Sequence, residues 1–131
     1  MIRISKTIVE EIHKQGLQEA PYEACGYLAG LDDNLVRVFP MKNVDHSKEH
    51  FSLDPQEQFA VIKKVRQEAL QLLAVYHTHP VSPARPSEED IRLAYDPDII
   101  YVIGSLAEKD FVVRAFNIKN GIVSPVPLEV I

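Results

Sequence analysis

Leu72-Leu73-Ala74-Val75-Tyr76-His77-Thr78-His79-Pro80, then six residues, then Ser87-Glu88-Glu89-Asp90, is the stretch on which the reading of this chain turns. An apolar run leading straight into His-x-His reads as a buried strand that ends at the two histidines. Residues two apart on a strand point to the same face, so His77 and His79 place their imidazoles side by side. A tetrahedral zinc ion needs that arrangement from two of its ligands. Asp90 stands one turn into the helix that Ser87 opens and can swing back as the third. Two histidines and one carboxylate leave a fourth position for water, the pattern of a catalytic rather than a structural zinc site. Each piece also has a simpler reading. His-x-His can be a surface or hydrogen-bonded pair, and Ser87-x-x-Asp90 can be a helix N-cap with an acidic first turn. The readings coexist, because capping a backbone does not stop Asp90 from reaching a metal.

Upstream of this stretch, Asp54-Pro55 supplies an N-cap and a proline at the first helical position. A long helix follows, with Phe59, Ile62, Val65, Ala69, Leu72 and Leu73 as its expected apolar face. Ile8, Val9, Ile12 and Leu17 fall on one side of an earlier helix, capped by Ser5 or Thr7 and ended by Pro21. Residues 24–30 and 34–39 read as a hairpin turning at Leu31-Asp32-Asp33, and residues 40–53 as irregular. Downstream, a loop with Pro80, Pro83 and Pro86 precedes a short helix from Ser87 to about Ala94. Strands are expected at 99–104, 110–117 and 121–130, the last two joined through Lys119-Asn120-Gly121. The order implies one α/β domain over residues 1–131, with a largely β core flanked by helices.

At 131 residues the chain can bury a core without disulfides. Its formal net charge is −5, with acidic and basic residues interleaved. No basic stripe carries aromatics, which argues against nucleic acid or an anionic membrane as partner. Cys25 is the sole cysteine, so a Cys-based zinc site and an internal disulfide are excluded. No segment has the roughly 20 apolar residues of a membrane span, and the first residues include acids where a secretion signal needs an apolar run. A cytoplasmic address is the expectation.

The conjunction of these pieces resembles the JAMM (MPN+, Mov34/MPN/PAD-1) zinc metallopeptidases, which include the deubiquitinases of the proteasome lid and signalosome. Their motif is an upstream Glu, His-x-His-Pro, six residues, and Ser-x-x-Asp. Glu23, His77, His79, Pro80, Ser87 and Asp90 match it without a gap. Cys25-Gly26-Tyr27-Leu28-Ala29-Gly30, Asn43 and Phe51-Ser52-Leu53-Asp54-Pro55 extend the likeness, which covers about residues 1–105. The resemblance implies an MPN fold like that of cytidine deaminase, with a central, mostly antiparallel, curved sheet flanked by helices. It implies one zinc per chain on His77, His79 and Asp90. Glu23 would be the base that activates water, and Ser87 would stabilise the oxyanion.

Only seven residues separate His79 from Ser87, and the chain is hardly larger than the catalytic core. It therefore looks like the compact prokaryotic branch of the family. That branch implies hydrolysis of the amide bond after the C-terminal Gly-Gly of a ubiquitin-like or sulfur-carrier protein, releasing cysteine or a short extension. Peptidase action on other short peptides is the alternative substrate reading. A non-catalytic scaffold would have lost the ligands that are intact here. A zinc deaminase needs a Pro-Cys-x-x-Cys pair that this chain lacks. Cys25 reads as a core residue rather than a nucleophile. His46 and His50 read as solvated loop histidines rather than as contacts to substrate or a second metal, His13 as exposed, and Arg85 as a solvated loop charge.

Overall fold

The computed structural model describes residues 1–131. Eight strands are present: β1 (Ile2–Ile4), β2 (Cys25–Leu31), β3 (Asn34–Met41), β4 (Gln71–His79), β5 (Ile100–Ser105), β6 (Val112–Lys119), β7 (Ile122–Val126) and β8 (Leu128–Val130). Three helices lie between them: α1 (Lys6–Glu19), α2 (Pro55–Gln67) and α3 (Glu88–Arg92). All strands join one sheet in the order β7-β6-β5-β4-β2-β3-β1-β8. The pairs β2–β3, β2–β4, β5–β6 and β6–β7 are antiparallel, while β4–β5, β1–β3 and β1–β8 are parallel.

The two edge strands, β7 and β8, are separated in sequence by Pro127 alone. A sheet whose opposite edges are one residue apart must curl until they nearly meet. The expected strand 121–130 is therefore two strands on opposite edges, broken at Pro127. The short β1, whose three residues are too few to leave a period, goes unmarked in the sequence reading. The curl brings it between β3 and β8, where Ile131 N–H donates to the Ile4 carbonyl at 2.9 Å.

Alternation along the strands sorts the core. Leu28, Ala74 and Tyr76 face the side covered by α1, together with Ile8 and Ile12. Tyr27, Ala29 and Val75 face the α2 side with Val65. Ser5 caps α1, accepting from Ile8 N–H at 3.2 Å. The buried stripe of α1 runs Ile8, Ile12, Gly16 rather than through Leu17, which is 61% exposed. Gly16 takes that place because the helix passes so close to Thr78 and Leu106 that a side chain there would crowd Thr78 Cγ2.

The expected face of α2 is also corrected. Phe59 is 74% exposed, and the face that packs is Val61 and Val65. Ala69 lies past the helix end at φ 57°, and Leu72 and Leu73 belong to β4. An apolar run shared by a helix end and the next strand gives no local sign of where the chain turns. Strand β3 runs on through Pro40, which the sequence placed in a loop. β1 pairs with β3 only at Asn34 and Leu35, so the outer edge at Pro40 needs no N–H. His13, expected exposed, is half-buried and stacks on Phe111 with ring centroids 4.4 Å apart. No helix is long and apolar enough to cross a membrane.

Candidate metal centre

His77 and His79 end β4 on the face shared with Val75, while Thr78 between them points to the α1 side. Both histidines are buried, and their Nε2 atoms lie 3.1 Å apart. Asp90 Oδ2 approaches His77 Nε2 at 3.2 Å and His79 Nε2 at 3.0 Å. Asp90 is delivered by the start of α3. There Ser87 Oγ accepts from Asp90 N–H at 3.0 Å, and Ser87 N–H donates back to Asp90 Oδ2 at 2.9 Å, a capping box. The cap expected as a rival to the metal role is thus the device that orients Asp90. His79 Nδ1 sits 2.8 Å from the Pro83 carbonyl, an acceptor only, so Nδ1 carries a proton and Nε2 is the ring atom left to face Asp90 or a metal. Phe51 stacks on His77 with centroids 4.8 Å apart.

Glu23 comes from the segment before β2 and is 2% exposed. One donor atom each from Glu23, His77 and His79 lie within 4.8 Å of one another. Two contacts hold the Glu23 backbone and a third holds its neighbour. Its N–H donates to the Ser47 carbonyl at 2.8 Å, and its carbonyl accepts from Asn43 Nδ2 at 3.1 Å. The next residue, Ala24, donates its N–H to Thr78 Oγ1 at 2.8 Å. The sequence separation of 54 in that last bond places Glu23 beside the histidines. Glu23 Oε1 is buried with no hydrogen-bond partner. An orphaned carboxylate oxygen in a native interior marks a place for a proton, a water or an ion.

Electrostatics separates the two acids. Burial raises the Glu23 carboxyl from 4.5 to about 8; His79 opposes this, and Asp90, Glu89 and Glu49 add to it. Burial also acts on Asp90, but hydrogen bonds from His77 and His79 outweigh it and hold that carboxyl far below its ordinary value. For His79, burial favours the neutral ring, yet Asp90 and the Pro83 carbonyl raise the pKa overall. The Cys25 thiol, opposite His77 in the β2–β4 register, is pushed up to about 12 by burial and neighbouring glutamates. It is a protonated core residue, as the sequence reading had it.

The structure therefore brings Glu23, His77, His79 and Asp90 together, with Ser87 hydrogen-bonded to Asp90. Arg85 and His46 are exposed. His50 is half-buried and lines a cavity of about 420 Å³ that also touches His77 and Asp90. Thr78 was passed over in the sequence reading, where it was the x of His-x-His. Its only signal was the strand alternation that turned it away from the face of His77 and His79. Asn43 was noted without a role. Its side chain makes four hydrogen bonds, to the carbonyls of Glu23 and His50 and from the N–H groups of Asp45 and Ser52, and so organises residues 43–52.

Several known proteins are similar to this chain. A family described as prokaryotic homologs of the JAB domain matches residues 5–119. The CysO-cysteine peptidase of Mycobacterium tuberculosis is 31% identical over 131 residues, covering 98% of this chain and 90% of that protein. A probable TtuB-protein conjugate cleaving protease of Thermus thermophilus is 37% identical over 95 residues, covering 72% of this chain and 64% of its own length. The solution structure of protein DSY2949 from Desulfitobacterium hafniense superposes with a TM-score of 0.93. It is 42% identical, with 100% of this chain and 93% of that one covered. The chain belongs to the family of prokaryotic homologs of the JAB domain.

Proposed function

We propose that this protein is a zinc-dependent peptidase that hydrolyses the amide bond after the C-terminal Gly-Gly of a sulfur-carrier or ubiquitin-like protein, in the cytoplasm. The observation that carries the chemistry is the convergence of His77 Nε2, His79 Nε2 and Asp90 Oδ2 at 3.0–3.2 Å beside the unpartnered Oε1 of Glu23. Zinc–ligand distances near 2.0–2.1 Å put the atoms of a tetrahedral site about 3.3 Å apart. The three donors stand close to that spacing already, so they fit one zinc ion per chain. Of the two buried acids, Asp90 has the ligand geometry. Glu23 stands further off, where a base belongs. The names of the Mycobacterium tuberculosis and Thermus thermophilus relatives support the substrate class.

When bound, the zinc ion supplies Lewis acidity that polarises a carbonyl and brings the pKa of water near 7. The chain's own residues do the rest. Glu23 takes a proton from the attacking water through its free oxygen and passes it to the leaving nitrogen as the C–N bond breaks. Ser87 Oγ accepts from Asp90 N–H, which leaves its own O–H to donate to the developing oxyanion. Pro83 and Phe51 fix the ring orientations of His79 and His77.

The test is intact-mass analysis of a sulfur-carrier protein bearing a short extension after Gly-Gly. It is incubated with zinc-loaded wild type or with zinc-loaded Glu23→Gln. Loss of the extension with wild type alone is expected. Equal cleavage by both would remove Glu23 as the base, and no cleavage would remove this substrate class. In parallel, His77→Ala and Asp90→Ala are expected to lose the stoichiometric zinc; full retention in both would refute the ligand set.

A further inference from the structure

The loop Asn43–Ser52 does more than hold Glu23. Together with α3 and β5 it encloses the cavity of about 420 Å³ beside His77 and Asp90. That is a ligand-sized volume, toward the lower end of the usual range of about 300–1,000 Å³. Phe51, Leu53, Leu93 and Tyr101 wall it. The Tyr101 hydroxyl is occupied, donating to the Asp96 carbonyl at 3.1 Å, so what Tyr101 offers the cavity is its ring. At the rim, His50 Nε2 is 3.2 Å from Asp45 Oδ2. His50 Nδ1 is 3.3 Å from Ser47 Oγ and 3.6 Å from Glu89 Oε1. Both imidazole nitrogens are thus engaged by the protein. Two carboxylates face one imidazole, and no free cation points inward.

We infer that this cavity receives the residue on the amine side of the scissile bond, and that it selects residues with an apolar body over acidic ones. The inference rests on the peptidase reading above. In that reading the acyl side of the bond is glycine, which has no side chain to place. A cavity bordered by His77 and Asp90 adjoins the reacting bond, so the substrate part that fills it is the first residue of the leaving group. Its apolar walls favour a leucine- or phenylalanine-sized side chain through burial. Asp45, which lines the cavity, repels a side-chain carboxylate, and neither His50 ring nitrogen is free to take one as a partner.

The experiment uses a sulfur-carrier protein ending in Gly-Gly-X, with X leucine, phenylalanine, glycine or aspartate, and the zinc-loaded full chain. The terminal α-carboxylate is common to every member and cancels in the comparison. Leucine and phenylalanine are expected to exceed both glycine and aspartate in kcat/KM by at least about tenfold, the scale on which side-chain pockets discriminate. Asp45→Asn, at an exposed rim position, is expected to narrow the leucine-to-aspartate ratio, with the aspartate rate rising relative to the leucine rate. Rates within about twofold across the series, or a ratio indifferent to Asp45→Asn, overturn the inference and leave the peptidase reading standing. Absence of cleavage for every X removes the peptidase reading on this substrate class, and the inference with it.

Discussion

Replacing Thr78 by valine tests whether the alignment of Glu23 depends on the buried side-chain hydrogen bond to Ala24, with the backbone bond from Thr78 N–H to the Ala24 carbonyl left in place. Thr78 is fully buried and Ala24 is 1% exposed. Valine keeps the branched shape but leaves the Ala24 N–H, now bonded at 2.8 Å, without a partner. An unsatisfied buried donor costs about 1–3 kcal/mol. The added methyl recovers up to about 0.8 kcal/mol. With full recovery a net loss of about 0.2–2 kcal/mol remains, and a loss near the middle of that range lowers the Tm of a chain this size by roughly 4 °C. Thr78→Ser keeps the acceptor and serves as the control. Thermal and urea unfolding report the stability effect, and steady-state kinetics report a second one. Because Glu23 is the neighbour of Ala24, slackening that anchor is expected to lower kcat by about tenfold or more with zinc content unchanged. A Thr78→Val protein with the stability and kcat of wild type would refute the anchor. Lost stability with an unchanged kcat would make it a folding contact only.

Glu23 itself is expected to destabilise the metal-free protein as pH rises. Its folded pKa of about 8 lies above its ordinary 4.5, so between those values the folded state holds the extra proton and stability falls with increasing pH. At about 1.36 kcal/mol per pH unit the ceiling is roughly 4–5 kcal/mol by pH 8. In urea titrations without zinc, the Glu23→Gln protein is expected to gain on wild type across this window; a constant difference between pH 5 and pH 8 would contradict the burial argument. Ser87→Ala should cost about 1 kcal/mol as a lost N-cap and lower kcat more than it raises KM; a pure KM effect would contradict the oxyanion role. A Cβ at Gly26 would run into the Phe39 carbonyl and the Tyr76 ring, so Gly26→Ala is expected to abolish folded protein. A cooperative unfolding transition near that of wild type would refute the close approach of β2 to its neighbours.

Local covalent geometry made much of this protein legible from sequence. Strand alternation put His77 and His79 on one face, and the structure keeps them there. Ser5, Asp54 and Ser87 were readable as caps because capping depends on residues within one turn, and all three cap helices. The hairpin of β2 and β3 and the Asn120-Gly121 turn were readable for the same reason: few residues separate the partners.

The remainder depends on contacts between distant residues, which a local pattern does not encode. The closure of the sheet through β1 and β8 joins the two ends of the chain, and no periodicity in three-residue strands announces it. The packed face of α2 differed from the expected one because the helix stops before Ala69, a left-handed residue where the Ala69 and Leu70 N–H groups bond back to the Arg66 and Val65 carbonyls, and an alanine at that position does not announce the stop as a glycine would. The cavity beside the histidines is built from residues 45–58, 77, 90–101, three segments that only the fold assembles. Which residue types the site would contain was therefore fixed by the sequence. That Glu23 reaches them depends on the two bonds between Ala24 and Thr78, which exist only because β2 and β4 lie side by side.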